Sequence, residues 1–273
     1  MQWLMKVKIE TIADGLNFPE GPAFAPDGSL WAVELKGESL LRYLDGKLER
    51  FQVGGKPNGI AIDRQGMIWF CDAAENAIRK FDPYQLKTEV LANRVDGEVL
   101  AQPNDLAFDQ NGNLLFTCPG NSRTEPTGYI CVLKRDNSVK KIIENKYFPN
   151  GLAFTNDGKS LVFAETYAHQ LWKGDWDSQN CEWLNGQVWC NVGGPAGPGG
   201  PDGMAFDQQG NLYTAVYGTA EIRIANAGGA VIDAITLPGQ NPTNCAFDPF
   251  GRYDLIVTEA EKGLLLHVSF ERK

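Results

Sequence analysis

FPEGPAFAPDGSLW at residues 18–31 returns five more times along the chain. The later copies are KPNGIAIDRQGMIW (56–69), QPNDLAFDQNGNLLF (102–116), FPNGLAFTNDGKSLVF (148–163), GPDGMAFDQQGNLYT (200–214) and NPTNCAFDPFGRYDLIV (241–257). Their prolines, Pro19, Pro57, Pro103, Pro149, Pro201 and Pro242, lie 38, 46, 46, 52 and 41 residues apart. Each copy reads as a proline, a polar residue, a short apolar run around an alanine, a few residues ending in glycine, and a second β-rich run. That is strand, tight turn, strand, with Gly28, Gly66, Gly112, Gly158, Gly210 and Gly251 at the turn position that wants positive φ. Further strand candidates follow the copies, such as LLRYLDGKLERFQV (40–53), AIRKFDPYQLKTEVLA (77–92) and YICVLKRDNSVKKII (129–143). Four strands per repeat, six times over, predict an all-β, six-bladed β-propeller with four-stranded blades, made as a single domain over 1–273. A β-sandwich or an open repeat array is the competing arrangement. No segment of twelve or more residues keeps a 3.6-residue period, which argues against a doubly wound α/β fold. The last copy supplies only about three strands, so VKIETI (7–12) is expected to complete its sheet and remove a free edge.

Composition narrows the function classes. The 273 residues carry 34 Asp plus Glu against 25 Lys plus Arg, a formal charge of -9, which repels nucleic-acid backbones and anionic membranes. The opening MQWLMKVKIE lacks the apolar run of about 7–15 residues of a secretory signal, and no stretch approaches about 18 apolar residues. The expectation is a cytoplasmic protein, a monomer or small homo-oligomer, acting on a small molecule. Six dispersed cysteines without a C-x-x-C read as free thiols. Cys181 and Cys190 sit symmetrically about Asn185-Gly186, so a hairpin there would face them for a disulfide.

In a propeller, equivalent positions of the repeat meet around the central axis. The position after each proline holds Glu20, Asn58, Asn104, Asn150, Asp202 and Thr243, all oxygen-bearing. Asn and Asp also favour loop-to-strand junctions, which is the structural alternative. Two carboxylates with several amide carbonyls, and neither thiolate nor imidazole, suit one hard divalent cation, Ca²⁺, Mg²⁺ or Mn²⁺, at the channel mouth rather than structural zinc. Without it, Glu20 and Asp202 would repel each other and one pKa would rise.

FPEGPAF (18–24), PNDLAFD (103–109), FPNGLAF (148–154) and GPDGMAFD (200–207) closely resemble the motifs of the gluconolactonase and regucalcin family, also called the senescence marker protein family. The resemblance covers essentially the whole chain. It implies a six-bladed propeller that uses a divalent metal ion, Ca²⁺ foremost with Mg²⁺, Mn²⁺, Zn²⁺ or Fe²⁺ as alternatives, to hydrolyse a sugar-acid lactone to the aldonic acid. Carried over by position, it implies Glu20, Asn150 and Asp202 as metal ligands and Asp202 as general base. It implies Asn104 as ligand or substrate contact, with Gln102 and, by ring position, Asn58 beside the substrate. Two departures bear on substrate choice: many members have Arg where this chain has Gln102, and Asp within T-D-P where it reads Thr117-Cys118-Pro119. The family register also makes 182–192 one bulged strand, against the Cys181–Cys190 hairpin.

The remaining signals are weaker. The two histidines, His169 and His267, leave little room for a Ser-His-Asp mechanism, and His169 reads as structural or as a peripheral substrate contact. GGPAGPGGPDG (193–203) lacks the G-K-[ST] of a phosphate loop and reads as a lid or a plain blade connection. The seven tryptophans are expected to pack between blades. Competing functions are a phosphotriesterase of the same fold, since a polarised P=O resembles a polarised C=O, and a non-enzymatic propeller that binds metal or ligand.

Overall fold

The aspartate and glycine that end each copy close a hairpin. Asp109 Oδ1 accepts the amides of Asn111 at 2.9 Å and Asn113 at 2.8 Å, while Gly112 takes φ +82° between them. Asp207 does the same for Gln209 and Asn211 around Gly210. The carboxylate satisfies turn amides that no strand can reach, and glycine adopts the left-handed backbone without a Cβ clash.

The computed structural model describes residues 6–271. Each hairpin grows into a four-stranded antiparallel sheet, and six such sheets form. Their inner strands are Pro19–Phe24, Pro57–Ile62, Leu106–Phe108, Pro149–Phe154, Gly200–Phe206 and Pro242–Phe247, here numbered as blades 1 to 6. Neighbouring inner strands touch all the way round, the first meeting the last, so the array is a closed six-bladed propeller. Blade 6 takes its outer strand from the beginning of the chain: Val7–Ala13 pairs with Leu264–Phe270, Val7 opposite Phe270 and Ile9 opposite Val268. A short ribbon, Arg94–Val95 with Glu98–Val99, joins blades 2 and 3. The 3₁₀ turn Thr166–Ala168 is the only helical element among the described residues, and none is long and apolar enough to cross a membrane.

The core lies between blades, and strand periodicity explains how. Leu30 and Ala32 of blade 1 face blade 6, packing with Ile256 and Leu265. Their alternate neighbours Trp31 and Val33 face blade 2, packing with Ile68 and Phe70. The second strand of a blade is thus apolar on both faces, as in the uninterrupted burial of Leu30–Glu34, Leu114–Cys118 and Leu255–Glu259. Outermost strands such as Lys47–Gln52 are mostly exposed and charged, which discourages edge pairing. Trp31 and Trp176 are buried in these interfaces, and Trp69, Trp172, Trp183 and Trp189 pack at their margins; Trp3 lies outside the described residues.

All six cysteines are free and buried. Cys181 and Cys190 flank opposite ends of one strand, Glu182–Asn191, so the facing hairpin does not form. Asn185 takes φ +55° where the pairing with Gln170–Asp177 shifts register, a bulge absorbed within the strand. Blade 3 departs from the other copies: its inner strand starts only at Leu106. There the Thr117 amide donates to the Asp105 carbonyl at 3.0 Å and the Asp105 amide to the Thr117 hydroxyl at 3.1 Å.

Phe163 is fully buried between blades 3 and 4, its ring parallel to Trp172 with centroids 6.3 Å apart. Phe163→Ala is expected to lower the unfolding free energy by about 3–5 kcal/mol, read from a denaturant titration. A change below about 1 kcal/mol would mean that this interface is not closely packed.

Candidate active site

The Pro-x-Gly start of an inner strand brings a polar side chain to the axis and follows it with a residue lacking one. Glu20, Asn58, Asn150 and Asp202 occupy the first position in blades 1, 2, 4 and 5, and all four are buried. Gly21, Gly59, Gly151 and Gly203 follow them. In blades 3 and 6 the next residue is instead Asp105 and Asn244, also buried. A Cβ on Gly59 would strike the Asp105 side chain, and one on Gly203 would strike the Asn244 amide. The glycines therefore make the space that a third carboxylate and another amide fill.

The ring proposed from sequence is thereby corrected in two blades. Thr243 offers nothing to the axis, because its hydroxyl donates to the Pro19 carbonyl at 2.8 Å and so ties blade 6 to blade 1. Asn244 reaches in instead, its Nδ2 lying 3.3 Å from Glu20 Oε2 and 3.4 Å from Asp105 Oδ2. Asn104 is only half-buried, and Asp105 goes deeper. Aligning the copies one position further along would have exposed both residues: four read glycine there, the third aspartate and the sixth asparagine.

Burial and mutual repulsion hold protons on these acids. Burial, then the Asp105 charge, pushes Glu20 up from 4.5 to about 8. Asp105 rises to about 7 through burial. Asp202 lies well above the usual carboxylate range, first through burial and then through Glu20 and Asp105. The amides are oriented around the acids. Asn150 Nδ2 donates to the Thr166 hydroxyl at 3.2 Å, which itself donates to the Pro201 carbonyl at 2.8 Å.

Asn58 Oδ1 and Asn150 Oδ1 are buried without a hydrogen-bond partner. Such a vacancy costs about 1–3 kcal/mol per group unless a ligand fills it. Among the described residues no three His, Cys, Asp or Glu side chains form a metal cluster by themselves. The donors converging here are mixed, carboxylates of Glu20 and Asp202 with amide oxygens of Asn58 and Asn150, and they fit a hard divalent cation. Asp105 and Asn244 floor this ring and border a cavity of 360 Å³ that runs toward the hairpin turns past Leu106, Met204, Phe206 and Phe247.

Other sequence candidates sit elsewhere. Gln102 is exposed at the rim, with its amide donating to Asn76 Oδ1 at 3.0 Å. Cys118 does not face the mouth; it is fully buried in the apolar interface of blades 2 and 3. The thiol therefore bears on packing and not on the fit of a ligand. His169 Nε2 lies 3.2 Å from the Gly199 carbonyl, so the glycine-rich connection into blade 5 rests on it. His267 lies in blade 6, edge-on to Tyr253.

Residues 18–261 match the family model described as SMP-30/Gluconolactonase/LRE-like region. The chain belongs to this family. It is 29% identical to diisopropyl-fluorophosphatase of Loligo vulgaris, over 96% of this chain and 91% of that one. Gluconolactonase of Zymomonas mobilis is 28% identical over 89% of this chain and 77% of its own. Among solved structures, a calcium-binding protein described as regucalcin from Agrobacterium tumefaciens superposes with a TM-score of 0.84 at 19% identity, over 98% of this chain and 94% of that one. At that identity the likeness concerns the fold.

The raised pKa values give a signed prediction. Acids protonated in the fold but ionised when unfolded favour folding at low pH, and that contribution is lost as pH rises from 4.5 towards about 8 for Glu20. Chelator-treated protein should lose melting temperature over that interval, and added Ca²⁺ should restore more at its upper end than its lower. Melting curves that are flat with pH, with or without the cation, would contradict this.

Proposed function

We propose that this protein hydrolyses a sugar-acid lactone to its aldonic acid, with one divalent cation, Ca²⁺ foremost, held by Glu20, Asn150 and Asp202. The observation that carries the reading is the pair of buried, unpartnered amide oxygens of Asn58 and Asn150 beside the Glu20 and Asp202 carboxylates. The gluconolactonase and lactonase names of relatives in the same family support it. When bound, the cation would polarise the ester carbonyl and offset the negative charge that develops on its oxygen.

Asp202 takes the proton from the attacking water. A carboxylate that holds a cation is a weak base, so Asp202 would keep one oxygen free of the cation to accept that proton. Glu20, oriented by the Gly21 amide at 2.5 Å and by Asn244, would help to hold the cation. Thr166 fixes the Asn150 amide so that Oδ1 stays turned to the centre. Asn104 and Gln102, further out, face the hydroxyl-bearing part of the substrate, and Asn58 adds its oxygen to the ring. The position of Asn104 above Asp105 suits an amide that donates to a ring hydroxyl.

A second reading rests on the squid relative, named for cleaving a fluorophosphate and matched along 96% of this chain. The same base and cation would serve attack on phosphorus. A binding role without catalysis is the third, and it gives Asp202 nothing to do beyond holding charge.

Hydrolysis of aldonolactones in a pH-stat, by chelator-stripped protein with cations added back one at a time, decides among them. Activity should return with one cation, and Asp202→Asn should lower kcat by about a hundredfold or more. Rates at the buffer background for every lactone, with diisopropyl fluorophosphate cleaved, would move the assignment to phosphotriesters. Cation binding with neither activity would leave a binding protein.

A further inference from the structure

Arg123 stands at the mouth above Asn150, in the loop between the second and third strands of blade 3. That loop is fixed at both sides. The Gly120 amide donates to the Ala101 carbonyl at 2.9 Å, next to Gln102, and the buried Ser122 hydroxyl accepts the Phe148 amide at 2.9 Å, two residues before Asn150. The guanidinium lies 4.8 Å over the Phe148 ring and 5.9 Å from that of Tyr167. Its Nε donates to the Tyr167 hydroxyl at 3.1 Å and one terminal nitrogen to Asn121 Oδ1 at 3.2 Å. Tyr167 follows Thr166, the residue that orients the Asn150 amide.

In a chain of net charge -9, an arginine beside acids would ordinarily find a carboxylate. Among the described residues Arg123 enters no ion pair. Arg123 is exposed and its hydrogen-bond partners are neutral, so no carboxylate of the described residues offsets its charge. A second cation, Lys36, lies with Nζ 4.8 Å over Phe18 of blade 1, whose ring stacks with Tyr217 of blade 5 at 6.5 Å between centroids. Contact with the Phe148 ring and the bond from Nε to the Tyr167 hydroxyl hold the planar guanidinium in place, which suits a two-pronged contact to a carboxylate.

We infer that Arg123 is a specificity-determining residue that receives a carboxylate carried by the lactone outside the ester being cleaved, making the preferred substrate an anionic lactone. This rests on the lactonase reading above.

The test compares a neutral aldonolactone with the monolactone of an aldaric acid, using cation-replete wild type, Arg123→Ala, Arg123→Lys and, as a control on the outer ribbon, Arg94→Ala. Wild type should favour the carboxylated lactone. Arg123→Ala should raise KM for it by about tenfold to a hundredfold, with a much smaller rise for the neutral one, so that the ratio of the two kcat/KM values falls. Arg123→Lys should recover part of that ratio, and Arg94→Ala should behave as wild type. If wild type hydrolyses both lactones and Arg123→Ala shifts neither, or both by the same factor, the inference is overturned while the lactonase reading stands. If wild type hydrolyses neither, both fall together.

Discussion

Three buried carboxylates, Glu20, Asp105 and Asp202, share the axis of this propeller, where burial raises the pKa of all three and the Asp105 charge adds to the rise in Glu20 and Asp202. Everything near the axis is arranged around that repulsion. Gly59 and Gly203 leave room for Asp105 and Asn244, while Gly21 and Gly151 let the backbones of neighbouring inner strands come together. Asn244 places its amide nitrogen between Glu20 and Asp105, offering each a hydrogen, and turns its oxygen to the Cys245 amide. Two further amides present oxygens that nothing in the protein satisfies. A divalent cation among these groups would favour the ionised acids and accept the lone pairs of both amides.

The blades supply the rigidity that such a centre requires. Because alternate residues of each second strand face opposite neighbours, no blade has a core of its own; six apolar interfaces share the work. A displaced blade would disturb two interfaces at once, so the inner strands hold their radial positions. Polar side chains at the strand starts are thereby fixed to the scaffold and not to mobile loops, which favours pre-organisation of the site.

The architecture could be read from sequence because it depends on period: proline, alternating apolar residues and turn glycines recur six times, and each has a local physical cause. Glu20, Asn58, Asn150 and Asp202 were readable for the same reason, being equivalent positions of a repeat. What escaped was where the copies differ. In blade 3 the exchange of bonds with Thr117 moves the strand start to Leu106 and sends Asp105 inward, while in blade 6 Thr243 is drawn to Pro19 and Asn244 takes its place at the centre. Both are tertiary effects set by neighbouring strands. Cys118 shows the converse: a departure in a motif that looked chemical belongs to an apolar interface.

The hydroxyl of Thr243 donating to the carbonyl of Pro19 spans 224 positions of sequence, and Asn244 meets Glu20 across the same distance. Glu20, which leads the first blade, therefore meets the Asn244 side chain only when the last blade has closed against it. Blade 6 supplies both of these contacts, so neither exists in a run of blades that lacks it. The centre is thus a property of the closed ring and not of any blade, or run of blades, taken alone.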